Sequence, residues 1–234
     1  MFGKLYLIPT YLGDNPVHGV LPDAIPKIIA STDHFIVENE KSARKFIKTT
    51  CPEKRQSDLV INVLDKHSKT SIDTFLDTCK KGIDTGLLSE AGCPAVADPG
   101  AAIIRMAHQS GIQVVPLVGP SSIILALMAS GMNGQRFSFN GYLPIDAHER
   151  KKELKRLEKL SQEQNQSQLF IETPYRNNKM LEDILNVLQP QTEICVACDL
   201  TLPTEMVKTQ TVNAWKHTKI DLHKRPAIFI IHKK

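Results

Sequence analysis

The chain's strongest constraint on its fold is an alternation that runs its whole length, with short apolar runs separated by single amphipathic segments. Lys4–Ile8, His34–Val37, Leu59–Leu64, Asp84–Leu88 and Gln113–Val118 have the length and composition of buried strands. Between them, Pro22–Ala30, a polar stretch from Lys41, Ser71–Lys80 and Ala101–Gln109 read as helices, the last stopped by Gly111. Strands separated by single helices predict an α/β fold with a largely parallel sheet. The pattern then restarts with an apolar helix over Ser121–Ser130, a strand over Phe137–Tyr142, a charged helix over Ala147–Leu160 and a strand over Gln168–Thr173. A helix over Asn177–Leu188 and strands over Glu193–Asp199 and Ala227–His232 complete it. The break at Pro116–Pro120, PLVGP, predicts two α/β domains, residues 1–117 and 118–234.

Composition removes other classes. At 234 residues, with 41% hydrophobic and 23% charged residues, the chain can bury a core and is neither disordered nor fibrous. Its longest clean apolar run, Ile123–Ala129, falls far short of the ~20 residues that span a bilayer, so no membrane segment is expected. The start, MFGKLYLIPT, meets Pro9 before any small-residue cleavage site and reads as a buried strand, not a signal peptide. A soluble, cytoplasmic protein is expected. The net charge of +4 permits a polyanionic partner without demanding one. The most basic run, His148–Lys159, holds six Lys/Arg against three Glu with Leu154, Leu157 and Leu160 as an apolar stripe. It reads as a solvated helix face, or as a surface that neutralises RNA phosphates. Five cysteines without framework spacing fit reduced thiols. Cys195 and Cys198 form a C-x-x-C inside a strand, where i and i+3 point to opposite faces, so they read as core residues and no metal site is expected.

In open α/β sheets ligands sit beyond the carboxyl ends of strands, which directs attention to PTYLGD, ENEK, SEAGCP, GPSS and ETPYR. Ser89–Gly100 follows a strand with twelve mostly small residues, so backbone groups can approach a ligand closely. It is neither a phosphate-binding P-loop nor a G-x-G-x-x-G dinucleotide turn, which points to a cofactor without a triphosphate. Ser121 and Ser122 open a helix, where a hydroxyl is also an ordinary cap. Glu172-Thr-Pro-Tyr-Arg176 sets a carboxylate, an aromatic ring and a guanidinium at a strand's carboxyl end.

Taken in order, LYLIPTYLGD, ENEKSARKF, LLSEAGCPAVADPG, VVPLVGPSSIILALMASG and FIETPYR resemble the tetrapyrrole methylase superfamily, and within it the branch that methylates a ribose 2′-hydroxyl of small-subunit ribosomal RNA. The resemblance covers nearly the whole chain. It implies a methyltransferase of two α/β domains with an active-site cleft between them, S-adenosylmethionine as cofactor, ribosomal RNA or the small ribosomal subunit as partner, no membrane association, and a homodimer. Pro9, Thr10, Leu12, Ser89, Glu90, Ala91, Gly92 and Pro94 would hold the cofactor from the first domain. Ser121 and Ser122 would contribute from the second, and Thr173, Ala197, Pro226 and Ala227 would approach the adenosine. Glu38, Asn39, Glu172 and Arg176 would face the acceptor. The branch usually reads P-I-G-N-L, E-D-T-R and S-D-A-G where this chain has Pro9-Thr-Tyr-Leu-Gly-Asp14, Glu38-Asn-Glu-Lys41 and Ser89-Glu-Ala-Gly92. The sequence ends at Lys234, short of a C-terminal extension common in that branch, so part of the RNA contact is expected to differ.

Methyl transfer to a ribose hydroxyl needs alignment and a proton acceptor. Glu38, Glu172 and His67 are the candidate bases, with Arg176 or Lys41 orienting the acceptor. Two other readings stay open from the sequence: methylation of a tetrapyrrole-like or other small molecule, and a cofactor-binding protein without catalysis.

Overall fold

In the computed structural model, which describes residues 1–14, 18–64 and 72–234, the chain divides into two compact units, Met1–Ser121 and Ser122–Lys234.

The first unit carries a five-stranded sheet, β1 (Leu5–Ile8), β2 (His34–Val37), β3 (Val60–Val63), β4 (Thr85–Leu88) and β5 (Val114–Pro116), in the order β3-β2-β4-β1-β5 with every pairing parallel. Parallel strands require crossovers, and α1 (Ala24–Ser31), α2 (Glu40–Thr50), α3 (Asp77–Lys80) and α4 (Ala101–Gln109) lie between them in the chain. Both faces of the sheet are covered, which is why its central strands are apolar without alternation. Ile8, Phe35, Val37 and Leu88 pack with Ile25, Ile29, Phe46 and Ile47 on one side. Leu5, Ile36 and Leu87 pack with Leu76, Ile103 and Ala107 on the other. The register aligns Ile8 with Leu88 and Leu88 with Val37, so three neighbouring strands end level and their loops start side by side.

The second unit departs from the expected parallel sheet. Its strands β6 (Phe137–Tyr142), β7 (Ser167–Ile171), β8 (Glu193–Cys198), β9 (Met206–Thr211) and β10 (Ala227–His232) run in the order β6-β7-β10-β8-β9. Only β6 and β7 pair parallel, and β10 is antiparallel to both β7 and β8, as β9 is to β8. The reason is connection length: Asp199–Glu205 is too short for a crossover helix, so the chain must turn straight back. Strand β9 has no counterpart in the sequence reading. It is an edge strand, half-buried along its whole length, and MVKTQT carries no apolar run to announce it.

One face of this sheet packs Phe170, Val196, Cys198, Phe229 and Ile231 against Leu154 and Leu157 of α6 (Ala147–Gln164), Met180 and Ile184 of α7 (Asn177–Val187) and Trp215 of α8 (Val212–Trp215). Helix α5 (Ser122–Ser130) packs on β8, β9 and β10. Cys198 lies in the first cluster and Cys195 does not, although both are fully buried, so the two thiols do occupy opposite faces. Along α6, Leu154 and Leu157 of the apolar stripe are buried and Leu160 is half-buried, but Arg150 is not part of a basic surface. It is buried against Asp183 at 2.6 Å and donates to the carbonyls of Pro144 and Ile145.

Candidate functional site

The level strand ends of the first unit bring the loops after β1, β2 and β4 together, and they enclose a cavity of about 580 Å³. Thr10–Asp14, Ser89–Ala91, and Lys41, Ser42, Ala43, Lys45, Phe46 and Thr49 of α2 supply its lining. Hydrogen bonds fix the walls. The Thr10 amide donates to the Gly92 carbonyl at 3.0 Å, the Thr10 hydroxyl to the Ser89 carbonyl at 3.3 Å, and the Ser89 hydroxyl to the Gly92 carbonyl at 2.7 Å. Glu38, at the end of β2, accepts the Glu90 amide at 3.2 Å, and Glu90 accepts the Ser42 hydroxyl at 3.4 Å. Two carboxylates and a hydroxyl are thereby gathered where three strands end.

The surrounding loop is held by residues the chemistry does not need. Gly119 passes so close to Pro9 that a Cβ there would lie 2.2 Å from the proline Cβ. Asp98, an acidic residue of the Ser89–Gly100 loop, accepts the Ala95 amide at 2.8 Å and the Gly100 amide at 2.7 Å. Burial raises its pKa and these two amides oppose the rise. The same loop holds Ala95 and Ala97 in left-handed conformations, which few residues with a Cβ adopt. Asn39 does not face an acceptor with its amide oxygen, which caps α2 by accepting the Lys41 and Ser42 amides at 2.9 and 3.2 Å.

Of the residues singled out in the sequence, Thr10, Leu12, Ser89, Glu90 and Ala91 line this cavity, while Glu38 and Gly92 hold its walls. Sequence reasoning missed Tyr11, Ser42, Lys45, Phe46 and Thr49, which share the lining. Ser42, Lys45, Phe46 and Thr49 share one face of α2, but that spacing is equally the spacing of a solvated helix face. In the second unit, Glu172 is 6% exposed at the end of β7 and accepts the Thr173 amide at 2.6 Å and Arg176 Nη2 at 2.7 Å. Ala197 pairs with Ile228 in the sheet, Ala227 with Cys198, and the Pro226 carbonyl accepts the Asp199 amide at 3.0 Å. Burial pushes the Cys198 thiol up to about 11, against the pull of Arg225. His67 lies outside the described residues. Among the described residues no group of three His, Cys, Asp or Glu side chains is placed to hold a metal ion, and no helix is long and apolar enough to cross a membrane.

Comparison with known proteins gives the same picture. The family model of the tetrapyrrole (corrin/porphyrin) methylases matches residues 26–214. A protein named ribosomal RNA small subunit methyltransferase I from Vibrio cholerae is 31% identical over 204 residues, 87% of this chain and 67% of that protein. Its namesake from Escherichia coli is 27% identical over 232 residues, 98% of this chain and 77% of that one. The crystal structure of the methyltransferase CobJ shares the fold with a TM-score of 0.65 at 15% identity, covering 99% of this chain and 94% of CobJ.

The match to a methylase family, on a chain of two α/β units, makes this protein an S-adenosylmethionine-dependent methyltransferase. The chain belongs to the tetrapyrrole (corrin/porphyrin) methylase family. The cavity in the first unit suits a ligand of this kind. Its volume lies in the range of about 300–1,000 Å³ usual for small-molecule sites. Its Glu90 carboxylate complements a cofactor that carries a sulfonium and an ammonium, and its hydroxyls complement ribose oxygens.

Proposed function

We propose that this protein methylates a ribose 2′-hydroxyl of small-subunit ribosomal RNA, acting in the cytoplasm as a homodimer. The observation that carries the reading is the pairing of Glu38 with the Glu90 amide beside a cavity that also holds Lys41 and Lys45 on successive turns of α2. A carboxylate of fixed orientation, with the Lys41 ammonium in the adjoining cavity and Lys45 paired there with Asp14 at 2.5 Å, suits an acceptor with a hydroxyl to deprotonate and a phosphate to hold. The similarity to proteins named for ribosomal RNA methylation supports the same acceptor.

S-adenosylmethionine, when bound, supplies an electrophilic methyl group. Thr10, Leu12, Ser89, Glu90, Ala91 and Gly92 would hold it on the first unit, with Pro9, Pro94 and Ser121 shaping their loops. On the second unit, Ser122, Thr173, Ala197, Pro226 and Ala227 are the candidate cofactor residues. Glu38 would take the proton of the ribose hydroxyl, its direction fixed by the Glu90 amide. Glu172 and Arg176 pair at 2.7 Å and hold the turn on the acceptor side.

The test is transfer of labelled methyl groups from S-adenosylmethionine to small ribosomal subunits from a strain lacking this gene, followed by nuclease digestion. Label in a 2′-O-methylated nucleoside is the expected result, and no label in RNA overturns the reading. Glu38→Gln slows the transfer by about 10²–10⁴ while cofactor binding measured by calorimetry stays unchanged. An unchanged rate removes Glu38 as the base.

A further inference from the structure

Tyr175, in the loop that follows β7, is 70% exposed, and no packing in the second unit accounts for it. The Lys224 ammonium lies 5.9 Å from the centre of its ring, and the His223 ring stands 5.9 Å away at 73°. These neighbours are held in place. Asn178 donates to Asp221 at 2.7 Å and accepts the Leu222 amide at 2.7 Å, and Asp221 accepts the His223 amide at 2.9 Å. On the far side Arg225 donates to Asp199 at 2.7 Å and to the Thr204 carbonyl at 2.8 Å. The Lys224 amide itself donates to the Pro174 carbonyl at 3.0 Å, which ties the turn to the loop that bears Tyr175. Lys224 takes a φ of 60°, a left-handed conformation that a residue with a Cβ rarely adopts. Such backbone strain persists only where the surroundings over-determine it, and it concentrates at working surfaces.

An exposed aromatic ring with an ammonium fixed beside it is the combination on which single-stranded nucleic acids stack, because every base offers a π-face and every linkage a negative charge. A protein partner would be met by a depletion of charge at the centre of the patch, and here the centre is cationic. We infer that Tyr175, His223 and Lys224 form a stacking platform for an unpaired base of the acceptor, with Lys224 meeting the adjacent phosphate. The inference deepens, and rests on, the reading of the acceptor as RNA.

Tyr175→Trp makes the platform visible, since Trp215, the chain's one native tryptophan, is buried. Single-stranded RNA 12-mers of mixed sequence quench the new emission, and the same sequences as duplexes leave it unchanged. Tyr175→Ala weakens binding of the 12-mers about tenfold, as loss of one stacked base does. It raises KM for small ribosomal subunits with kcat unchanged, and Tyr175→Phe restores both. Lys224→Gln lowers the slope of log affinity against log salt by roughly 0.7, the contribution of one phosphate contact on a single strand. Unquenched emission, or unchanged affinity and KM in Tyr175→Ala, overturns the platform. Absence of methyl transfer by the unaltered protein, with quenching intact, instead overturns the ribosomal reading and leaves the platform standing.

Discussion

Residues carry opposite kinds of information in this chain. Cys195 and Cys198 look like a ligand pair in one dimension, and their three-residue spacing on β8 sends them to opposite faces of a sheet. Their chemistry is that of burial. The Cys198 thiol, at about 11 against 9.0 for the unperturbed group, stays neutral in the folded protein at pH values where the unfolded chain ionises. The folded pKa is raised, so the associated stability is whole below pH 9 and is lost as pH climbs from 9 to about 11. Two units correspond to about 3 kcal/mol. Urea titrations across this window should therefore show a steeper loss of stability for the unaltered protein than for Cys198→Ala. Parallel slopes would mean that the thiol ionises as readily in the fold as out of it. Glu38, Ser89 and Glu90 were legible as loop residues after strands, because the end of a parallel strand is where ligands bind. Lys45 and Thr49 were not, because from sequence a polar helix face looks the same whether it meets water or a cavity. The loop-tying role of Asp98 was equally hidden, since a carboxylate that ties a loop and one that serves a ligand differ only in three dimensions.

Elements were read best where their boundaries are enforced by chemistry nearby. The ends of His34–Val37, Ala101–Gln109, Phe137–Tyr142 and Ala227–His232 are the same in sequence and structure. Each is bounded by polar residues, a glycine or a proline within two positions of its ends. What the pattern could not convey was strand direction in the second unit, where alternation of strand and helix is compatible with antiparallel return once one connection is too short to cross over. The loops of the first unit depend on a different device, the close approach of Gly119 to Pro9. Any side chain at 119 must move the loop after β1, because a proline ring tied to its own backbone cannot step aside. Gly119→Ala should cost about 1–3 kcal/mol, as overpacking does, and weaken S-adenosylmethionine binding in calorimetry. Gly134→Ala, at a glycine with open space around it, should change neither, and equal behaviour of the two variants would show that the contact between 119 and 9 is not what shapes the site.

At the scale of the molecule, α5 poses the remaining problem. Its sequence, SIILALMAS, is apolar on every side, a pattern expected of a helix covered all round. Ile123, Ala126 and Leu127 are indeed buried, yet Ile124 and Met128, one turn apart, are 44% and 73% exposed. Elsewhere in the same unit Tyr142 and Ile145 are also exposed. Exposed apolar side chains repeating along a helix mark a surface that association removes from water, and the homodimer proposed above supplies the partner. A two-fold interface is self-complementary, so one changed residue appears twice across it. Met128→Lys therefore puts two ammonium groups into an apolar contact and should convert the dimer to a monomer in sedimentation equilibrium. It should leave the far-ultraviolet circular dichroism unchanged, because residue 128 is not part of the unit's core. A dimer of undiminished affinity in Met128→Lys would remove α5 from the interface, and a monomeric unaltered protein would remove the dimer itself. If methyl transfer to the small subunit falls with dimerisation while cofactor binding persists, the second copy contributes to holding the RNA and not to the chemistry.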